Sequence, residues 1–485
     1  MSIESQIRAN ALAMSDKVAL IGGEMKVTYA ELWQRSLQVA ARLQNEYGLQ
    51  SGECVILSAA GNIEFVYAYL GVHIAGGTCV PIDPDTNETR FGYIYEQTKP
   101  RLVLGQLSKV LEATTTNFSD LLCGDKINCK MEYIEPDENA IADVLFTTGT
   151  TGAPKGVALS YGNLVSATNH INAFIQNTAD DVELLALPVS HSFGLGRLRC
   201  ILFKGGTLVM LGTFANIKRF FREMENHHVT GFGMVPASWG FIKKMSGRYI
   251  EKFANQLRYV EIGSSFMSVE DKQLLMELLP NTRICMHYGL TEASRSAYME
   301  FHAERDNLST AGKAADGVDI VLFSPDGKRV AFGEEGEVCV KGAHVCSSYW
   351  RLPKERFEQD FYDGYFRTGD CGVMDERGYI YLKSRLKEMI NVGGKKVAPM
   401  EVEEILNQIP YIKESVCVGV RDSEGVMGEL VKAYIVTDGE VEDSAIMDYL
   451  KPRLEVYKLP VQIVHIDAIP KTNSGKIQRL KLKEV

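Results

Sequence analysis

Apolar positions in the first third of the chain alternate between two spacings, a helical one of three to four residues and the unbroken runs of buried strands. Residues 28–48 carry the helical spacing. Thr28 and Glu31 form a capping box at its start, in which a threonine and a glutamate three residues on satisfy two free N–H groups. Unbroken apolar runs at 54–58, 78–82 and 102–104 read as strands, with a further helix from about residue 62. Strand-like runs recur at 183–187, 207–211, 230–235, 258–262 and 283–288. Strands alternating with helices predict an α/β fold with a large N-terminal domain of mixed or parallel sheets covered on both faces. Between 317 and 380 the texture changes to short alternating strands broken by the turns SPDG (324–327) and DERG (375–378), which predicts a small antiparallel, barrel-like β unit. From 389 to 485 a helix (400–408), two strands (415–420 and 431–436), a second helix (444–454) and a last strand (461–466) predict a smaller α+β C-terminal domain.

A chain of 485 residues exceeds one hydrophobic core, which agrees with a division into 1–383 and 389–485. With 52 basic and 62 acidic side chains the net charge is −10, which argues against nucleic acid or anionic membrane as partners and for small-molecule ligands. The ten cysteines are scattered singly, without a Cys-x-x-Cys pair or zinc spacing, as expected of reduced thiols. Residues 1–16 lack the apolar core of a secretory signal, and the uncharged stretch 68–82 is too short to cross a bilayer. A cytoplasmic protein without a transmembrane segment is expected.

Candidate chemistry concentrates in the segment 147–156, TTGTTGAPKG, directly after an apolar run. Glycines let backbone N–H groups face an anion, threonine hydroxyls add donors, and Lys155 supplies a charge that can follow phosphates. A Walker-type loop needs Gly-Lys-Ser/Thr, whereas Lys155 stands between Pro154 and Gly156, so the segment would hold phosphate in another fold. By itself it reads equally as an exposed turn between strands at 141–146 and 157–160. Five further segments follow in order. PVSHSFGL (188–195) ends a strand with a histidine and an aromatic ring, and YGLTE (288–292) offers a ring, a hydroxyl and a carboxylate after another. YFRTGD (365–370) sets a carboxylate behind a glycine turn, SRLKEMINVGG (384–394) is a charged joint with a glycine pair, and PKTNSGK (470–476) ends on a lysine. Taken singly, Glu292 reads as a helix-start carboxylate, Asp370 as a turn residue, His191 as a core histidine and Lys476 as a solvated charge.

Together, over residues 28–476, the six segments resemble the adenylate-forming superfamily of acyl-CoA synthetases, peptide-synthetase adenylation domains and beetle luciferases. The resemblance implies that a carboxylate is joined to ATP as an acyl-AMP with release of pyrophosphate, and the acyl group is then passed to a thiol. Reaction between two anions needs charge neutralisation and alignment more than proton transfer. By the same resemblance Thr147, Thr148, Gly149, Thr150, Thr151, Gly152 and Lys155 hold the β- and γ-phosphates, and Glu292, with Thr147, binds Mg²⁺. Tyr288 stacks on adenine near Ser264 and His287, and Thr291 touches the α-phosphate. Asp370 takes both ribose hydroxyls with Arg385 as a second ribose contact, and Lys476 bridges the substrate carboxylate and the α-phosphoryl region. His191, Phe193, Trp239, Ser265, Phe266 and Gly289 line the acid pocket, which Trp239 shortens. Residues 384–388 form a hinge with Lys387 at its pivot, about which a mobile C-terminal domain brings Gly393 and Gly394 to the thiol tunnel.

Amino-acid adenylation domains carry an aspartate near the counterpart of His191 to pair the substrate ammonium, and this chain has His191-Ser-Phe-Gly194 there. A buried ammonium without a counter-charge is costly, so the expected substrate is an aryl or short-to-medium-chain acyl acid, and the expected acceptor is coenzyme A. Asn391 stands where many relatives have lysine, which leaves open the phosphopantetheine of a separate acyl carrier protein. The alternatives are thus an acyl-AMP ligase loading such a carrier, and a catalytically silent nucleotide-binding regulator. Intact Lys155, Glu292, Asp370 and Lys476 count against the regulator.

Overall fold

The helix Ile63–Ile74 is buried at every residue except Glu64, because it lies between two sheets and contacts strands of both. Asn62 caps it by accepting from the Phe65 N–H at 3.0 Å. The computed structural model describes residues 1–108, 115–122, 131–147, 154–385, 388–393, 395–422, 427–439, 441–472 and 477–483. On one side of the helix stands a nine-stranded sheet. Its central strands Arg283–Tyr288, Tyr259–Ile262, Gly231–Met234, Val182–Leu185 and Thr207–Met210 are parallel neighbours in that order. Their C-terminal ends open on one edge, where α/β sheets place ligands. On the other side is a six-stranded sheet in which Cys54–Ser58 lies between Thr78–Ile82 and the edge strand Leu102–Leu104. Its antiparallel pair Ile141–Thr147 and Lys155–Ser160 brackets residues 148–153, which lie outside the described residues. The capping box forms as the sequence requires, at the start of the helix Tyr29–Asn45.

The β unit is antiparallel, with Asp319–Phe323, Glu335–Lys341, Tyr365–Met374 and Ile380–Arg385 as consecutive neighbours. It is less self-contained than its sequence suggests. The strand Ser348–Tyr349 leaves it to pair with Lys155–Ser160 of the six-stranded sheet. Trp350 anchors that excursion, donating its backbone N–H to Gly156 O at 2.7 Å and its ring N–H to Gln97 O at 3.1 Å. The strand Ile380–Arg385 runs into the expected hinge, and Lys387 lies outside the described residues.

Beyond residue 388 the helices Pro399–Leu406 and Asp443–Leu450 accompany the three-stranded sheet Ile412–Arg421, Glu429–Thr437 and Gln462–His465. Buried apolar side chains from Ile390 to Leu454 cluster with one another rather than with the main core. Among the described residues no helix is long and apolar enough to cross a membrane.

Candidate active site

A strand pair of the six-stranded sheet and a loop of the nine-stranded sheet bring Lys155, Tyr349 and Glu292 together. Lys155 opens the second strand of the hairpin, and Tyr349 lies on the strand beside it, so the ammonium sits 4.5 Å from the centre of the Tyr349 ring. Asp360 Oδ2 is 3.8 Å from the same ammonium. Tyr349 turns its hydroxyl the other way, donating to Glu292 Oε1 at 3.3 Å. Glu292 follows the strand Arg283–Tyr288 in a loop, so the helix-start reading of this residue does not hold. The loop is fixed by Cys346, whose N–H donates to Glu292 O at 2.7 Å. Burial raises the Glu292 carboxyl above the ordinary carboxylate value, opposed by Arg385, Tyr349 and Lys155. A crowded carboxylate with no ion-pair partner among the described residues is the donor a hard divalent cation requires, so Glu292 fits Mg²⁺. Thr147 ends the first hairpin strand, and its hydroxyl is 3.5 Å from Lys155 O.

The nucleotide candidates form a second cluster. Asp370 and Arg385 are cross-strand partners, which places Arg385 Nε 3.0 Å from Asp370 Oδ1. Tyr288, at the end of its strand, donates its hydroxyl to Asp370 Oδ2 at 2.7 Å. Asp370 is therefore a buried strand residue and not a turn residue. Burial pulls the Arg385 guanidinium down, but Asp370 and its neighbours hold it above its ordinary value. Ser264 has a left-handed backbone with φ of 76° and is exposed just past the strand Tyr259–Ile262. Gly263 beside it allows the His287 ring to approach, since a methyl group there would lie 2.1 Å from the imidazole. Burial lowers the His287 pKa, and its Nδ1 lies 2.8 Å from Glu261 Oε1. The ring thus supports the platform from beneath.

His191 corrects its sequence reading. The strand stops at Leu185, and His191 is the residue preceding the helix Ser192–Lys204. The apolar stretch 186–189 is buried as a loop, which mimics a strand in hydropathy. His191 Nε2 is 3.7 Å from Asp83 Oδ2, and Ser190 Oγ donates to the same carboxylate. Although the ring keeps 37 % of its surface open, the protein packed around it lowers its pKa against the pull of Asp83. Phe193 is buried with its ring edge-on to His287 at 4.6 Å, and Trp239 is fully buried with no hydrogen-bond partner for its indole N–H among the described residues. Ser265 is partly exposed and Phe266 exposed on the same edge. Gly289 lies against the backbone of Arg295, where a methyl group would be 2.3 Å from the amide nitrogen. Thr291 is partly exposed beside Glu292.

Below this edge lies a charge network that the sequence reading did not single out. Arg197 Nε is 3.0 Å from both carboxylate oxygens of Glu183, and its Nη1 is 3.2 Å from Glu261 Oε2. Arg295, left-handed at φ 57°, reaches Glu261 Oε1 at 3.1 Å and the carbonyls of Ser192 and Phe193 at 3.1 Å each. Burial would raise Glu261, but Arg295, His287 and Arg197 hold its carboxyl well below the usual range. Asp83, Tyr349 and Asp360 were missed as well. Asp83 had a signal, a carboxylate one residue past a buried strand; Tyr349 had none, because its position depends on a strand that leaves its own sheet. Of the remaining candidates, Gly393 is described at φ 58°, in the turn between Ile390–Val392 and Lys395–Val397. Thr148, Gly149, Thr150, Thr151, Gly152, Lys387, Gly394 and Lys476 lie outside the described residues.

Residues 7–350 match the family model of the AMP-binding enzymes, and residues 401–476 match that of the AMP-binding enzyme C-terminal domain. The chain belongs to this family of adenylate-forming enzymes. It is 28 % identical over 478 residues to the long-chain-fatty-acid–CoA ligase FadD13 of Mycobacterium tuberculosis, covering 95 % of this chain and 93 % of that one. It superposes on ATP-bound MatB from Rhodopseudomonas palustris with a TM-score of 0.91 and 26 % identity, over 100 % and 99 % of the two chains. With the o-succinylbenzoate CoA synthetase MenE of Bacillus subtilis, solved with its acyl-adenylate intermediate OSB-AMP, the TM-score is 0.89 at 26 % identity, over 99 % and 98 %.

Proposed function

We propose that this enzyme activates a carboxylic acid with ATP, releasing pyrophosphate and forming an acyl-AMP, and then transfers the acyl group to coenzyme A. The observation that carries the reading is the joining of two clusters at one sheet edge, Lys155–Tyr349–Glu292 and Tyr288–Asp370–Arg385. Such a site can hold a triphosphate at one end and a ribose at the other. In this reading Lys155 and the threonine–glycine loop neutralise and align the β- and γ-phosphates, while Tyr288 and Ser264 flank adenine. Asp370 accepts from the ribose hydroxyls, with Arg385 holding its carboxylate. Glu292, with Thr147, would hold Mg²⁺, which supplies charge neutralisation along the phosphates when bound. His191, held near Asp83, stands at the mouth of the acid pocket, and Thr291 at the α-phosphate. Lys476, Lys387 and the Gly393–Gly394 turn keep their proposed roles at the reacting phosphoryl group, the hinge and the thiol tunnel. The proposed boundary between the two domains stays at 384–388.

The substrate is a small-molecule acid; the Asp83 carboxylate beside His191, which the sequence reading did not foresee, already accepts from Ser190. Among the described residues no disulfide joins the buried cysteines, which supports a cytoplasmic setting. Acid-dependent exchange of pyrophosphate into ATP across a panel of carboxylic acids, followed by detection of thioester with coenzyme A, tests the function. No exchange with any acid would return the chain to a silent nucleotide-binding protein. Exchange without a coenzyme A product would make a carrier protein's phosphopantetheine the acceptor.

A further inference from the structure

Under the sheet edge that carries the proposed acid pocket, one face of the sheet is closed by charge. The strands Val182–Leu185, Gly231–Met234 and Tyr259–Ile262 carry Glu183, Gly231 with Gly233, and Tyr259 with Glu261 on one face, because Gly231 is in register with Glu183 and Tyr259, and Gly233 with Glu261. The two glycines leave a groove running down that face from the open edge of the sheet. It is filled. A methyl group at Gly233 would lie 3.3 Å from the Phe193 ring and 3.4 Å from Arg197 Cγ, and one at Gly231 would lie 2.2 Å from the Tyr259 ring. Arg197, Glu183 and Glu261 have no exposed side-chain surface, and Arg295 seals the space above them by binding Glu261 and the carbonyls of Ser192 and Phe193.

We propose that Glu261 and Arg295 are specificity-determining residues that end the acid pocket at Phe193, so that compact aryl or short-chain acids are accepted and long-chain fatty acids rejected. The inference rests on the acid-activating reading above. An alkyl tail following the groove would have to displace Phe193 and part a buried ion pair. Each methylene buried favours binding by about fourfold, whereas breaking a buried pair costs a factor of roughly 10² to 5×10³. About four to six methylenes would be needed merely to offset one broken pair, before any space had been found for them. The network can hold the pocket shut because its charges are satisfied as a set: Arg197 keeps Glu183 as a partner even when Glu261 is removed.

The test is acid-dependent pyrophosphate exchange by the full-length wild-type enzyme with straight-chain acids from two to sixteen carbons and with benzoate and phenylpropanoate. The inference expects kcat/KM to be highest for a short-chain or aryl acid and at least 100-fold lower at twelve carbons and beyond. The double variant Glu261→Ala, Arg295→Ala removes one charge of each sign, and it should raise the ratio of ten-carbon to four-carbon kcat/KM by at least tenfold. A merely structural pair would lower both acids alike and leave that ratio unmoved, overturning the inference. If the double variant fails to fold, the wild-type profile alone decides. A wild-type kcat/KM that climbs through twelve carbons overturns the inference while leaving the acid-activating function intact. Silence toward every acid overturns the function and the inference together.

Discussion

Asp370→Asn separates binding from folding more cleanly than any other single change in the site. An ionised carboxylate offers about four acceptor positions. Tyr288 Oη, at 2.7 Å, and Arg385 Nε, at 3.0 Å, occupy two of them, which leaves two for the vicinal hydroxyls of a ribose. Asparagine keeps the shape but removes the charge and one acceptor oxygen. A hydrogen bond to a charged group contributes about 1.5–3 kcal/mol against about 0.5–1.5 for a neutral pair. Losing that difference at two ribose hydroxyls amounts to about 2–3 kcal/mol, or roughly 30- to 150-fold in the dissociation constant of AMP. The cost to the fold is smaller. Arg385 loses its counter-charge but keeps 27 % of its side chain in solvent, so about 1 kcal/mol is expected, a fall of about 2–4 °C in Tm. Calorimetric titration with AMP and a thermal melt on the same preparation read the two effects. AMP affinity within threefold of wild type would refute the ribose assignment. A fall in Tm beyond about 10 °C accompanying the affinity loss would make Asp370 a structural residue.

Glu292 should show the opposite dependence on protons and metal. Its folded pKa is raised above 4.5, so the ligand-free fold loses stability as pH rises from 4.5 through that raised value, and Mg²⁺ affinity climbs over the same window and then levels. Glu292→Gln should flatten the climb in a Mg²⁺ titration of ATP binding; an unchanged pH profile would remove Glu292 from the metal site. Tyr349→Phe deletes the hydroxyl that helps hold Glu292 ionised but keeps the ring beneath Lys155. The Mg²⁺ profile should therefore move to higher pH while exchange falls by no more than about tenfold, and a shift to lower pH would contradict the assignment. Lys476→Ala should depress pyrophosphate exchange by a factor of about 10² to 10³ while supplied acyl-AMP is still converted to thioester, and an equal loss of both steps would refute its role. Lys387→Pro should leave exchange within roughly tenfold of wild type but cut overall thioester synthesis strongly; a wild-type complete reaction would end the case for a pivot there.

Some strands buried on both faces were legible residue for residue, whereas the runs at 207–211 and 230–235 overshot the strands Thr207–Met210 and Gly231–Met234. Cys54–Ser58 and Thr78–Ile82 stand where their unbroken apolar runs predict, since nothing polar interrupts a strand covered by helices on both sides. The same signal misled at 186–189, where a buried loop is as apolar as a strand. Motif residues such as Glu292 and Asp370 were legible as chemistry, yet their partners were not. Arg385 was placed with Asp370 only by resemblance, and hairpin register is what makes them partners, while Tyr349 meets Glu292 by crossing between sheets, a relation not written in local spacing. The network of Glu183, Arg197, Glu261 and Arg295 was invisible for a further reason. Charged residues in strands read as solvent-facing until the glycines at 231 and 233 are seen to make room for them.

The charge balance of the site explains why two sources of positive charge beyond its described side chains are required. Lys155 lies near Asp360, Arg385 pairs with Asp370, and Arg90 feels Asp83 while donating to Phe146 O at 2.9 Å. Each of these cations already faces an acid, and Glu292 adds a further negative charge between them. The described side chains therefore contribute little net attraction for a triphosphate. Attack by a carboxylate on that triphosphate brings one more negative charge to the same point, so neutralisation has to arrive with the substrates or from another part of the chain. Mg²⁺ at the proposed Glu292 site would answer the first need and the proposed Lys476 the second. A site balanced in this way would hold AMP through Tyr288 and Asp370 without the metal and would bind ATP only as charge is supplied, which would couple occupancy of the phosphate end to readiness for reaction.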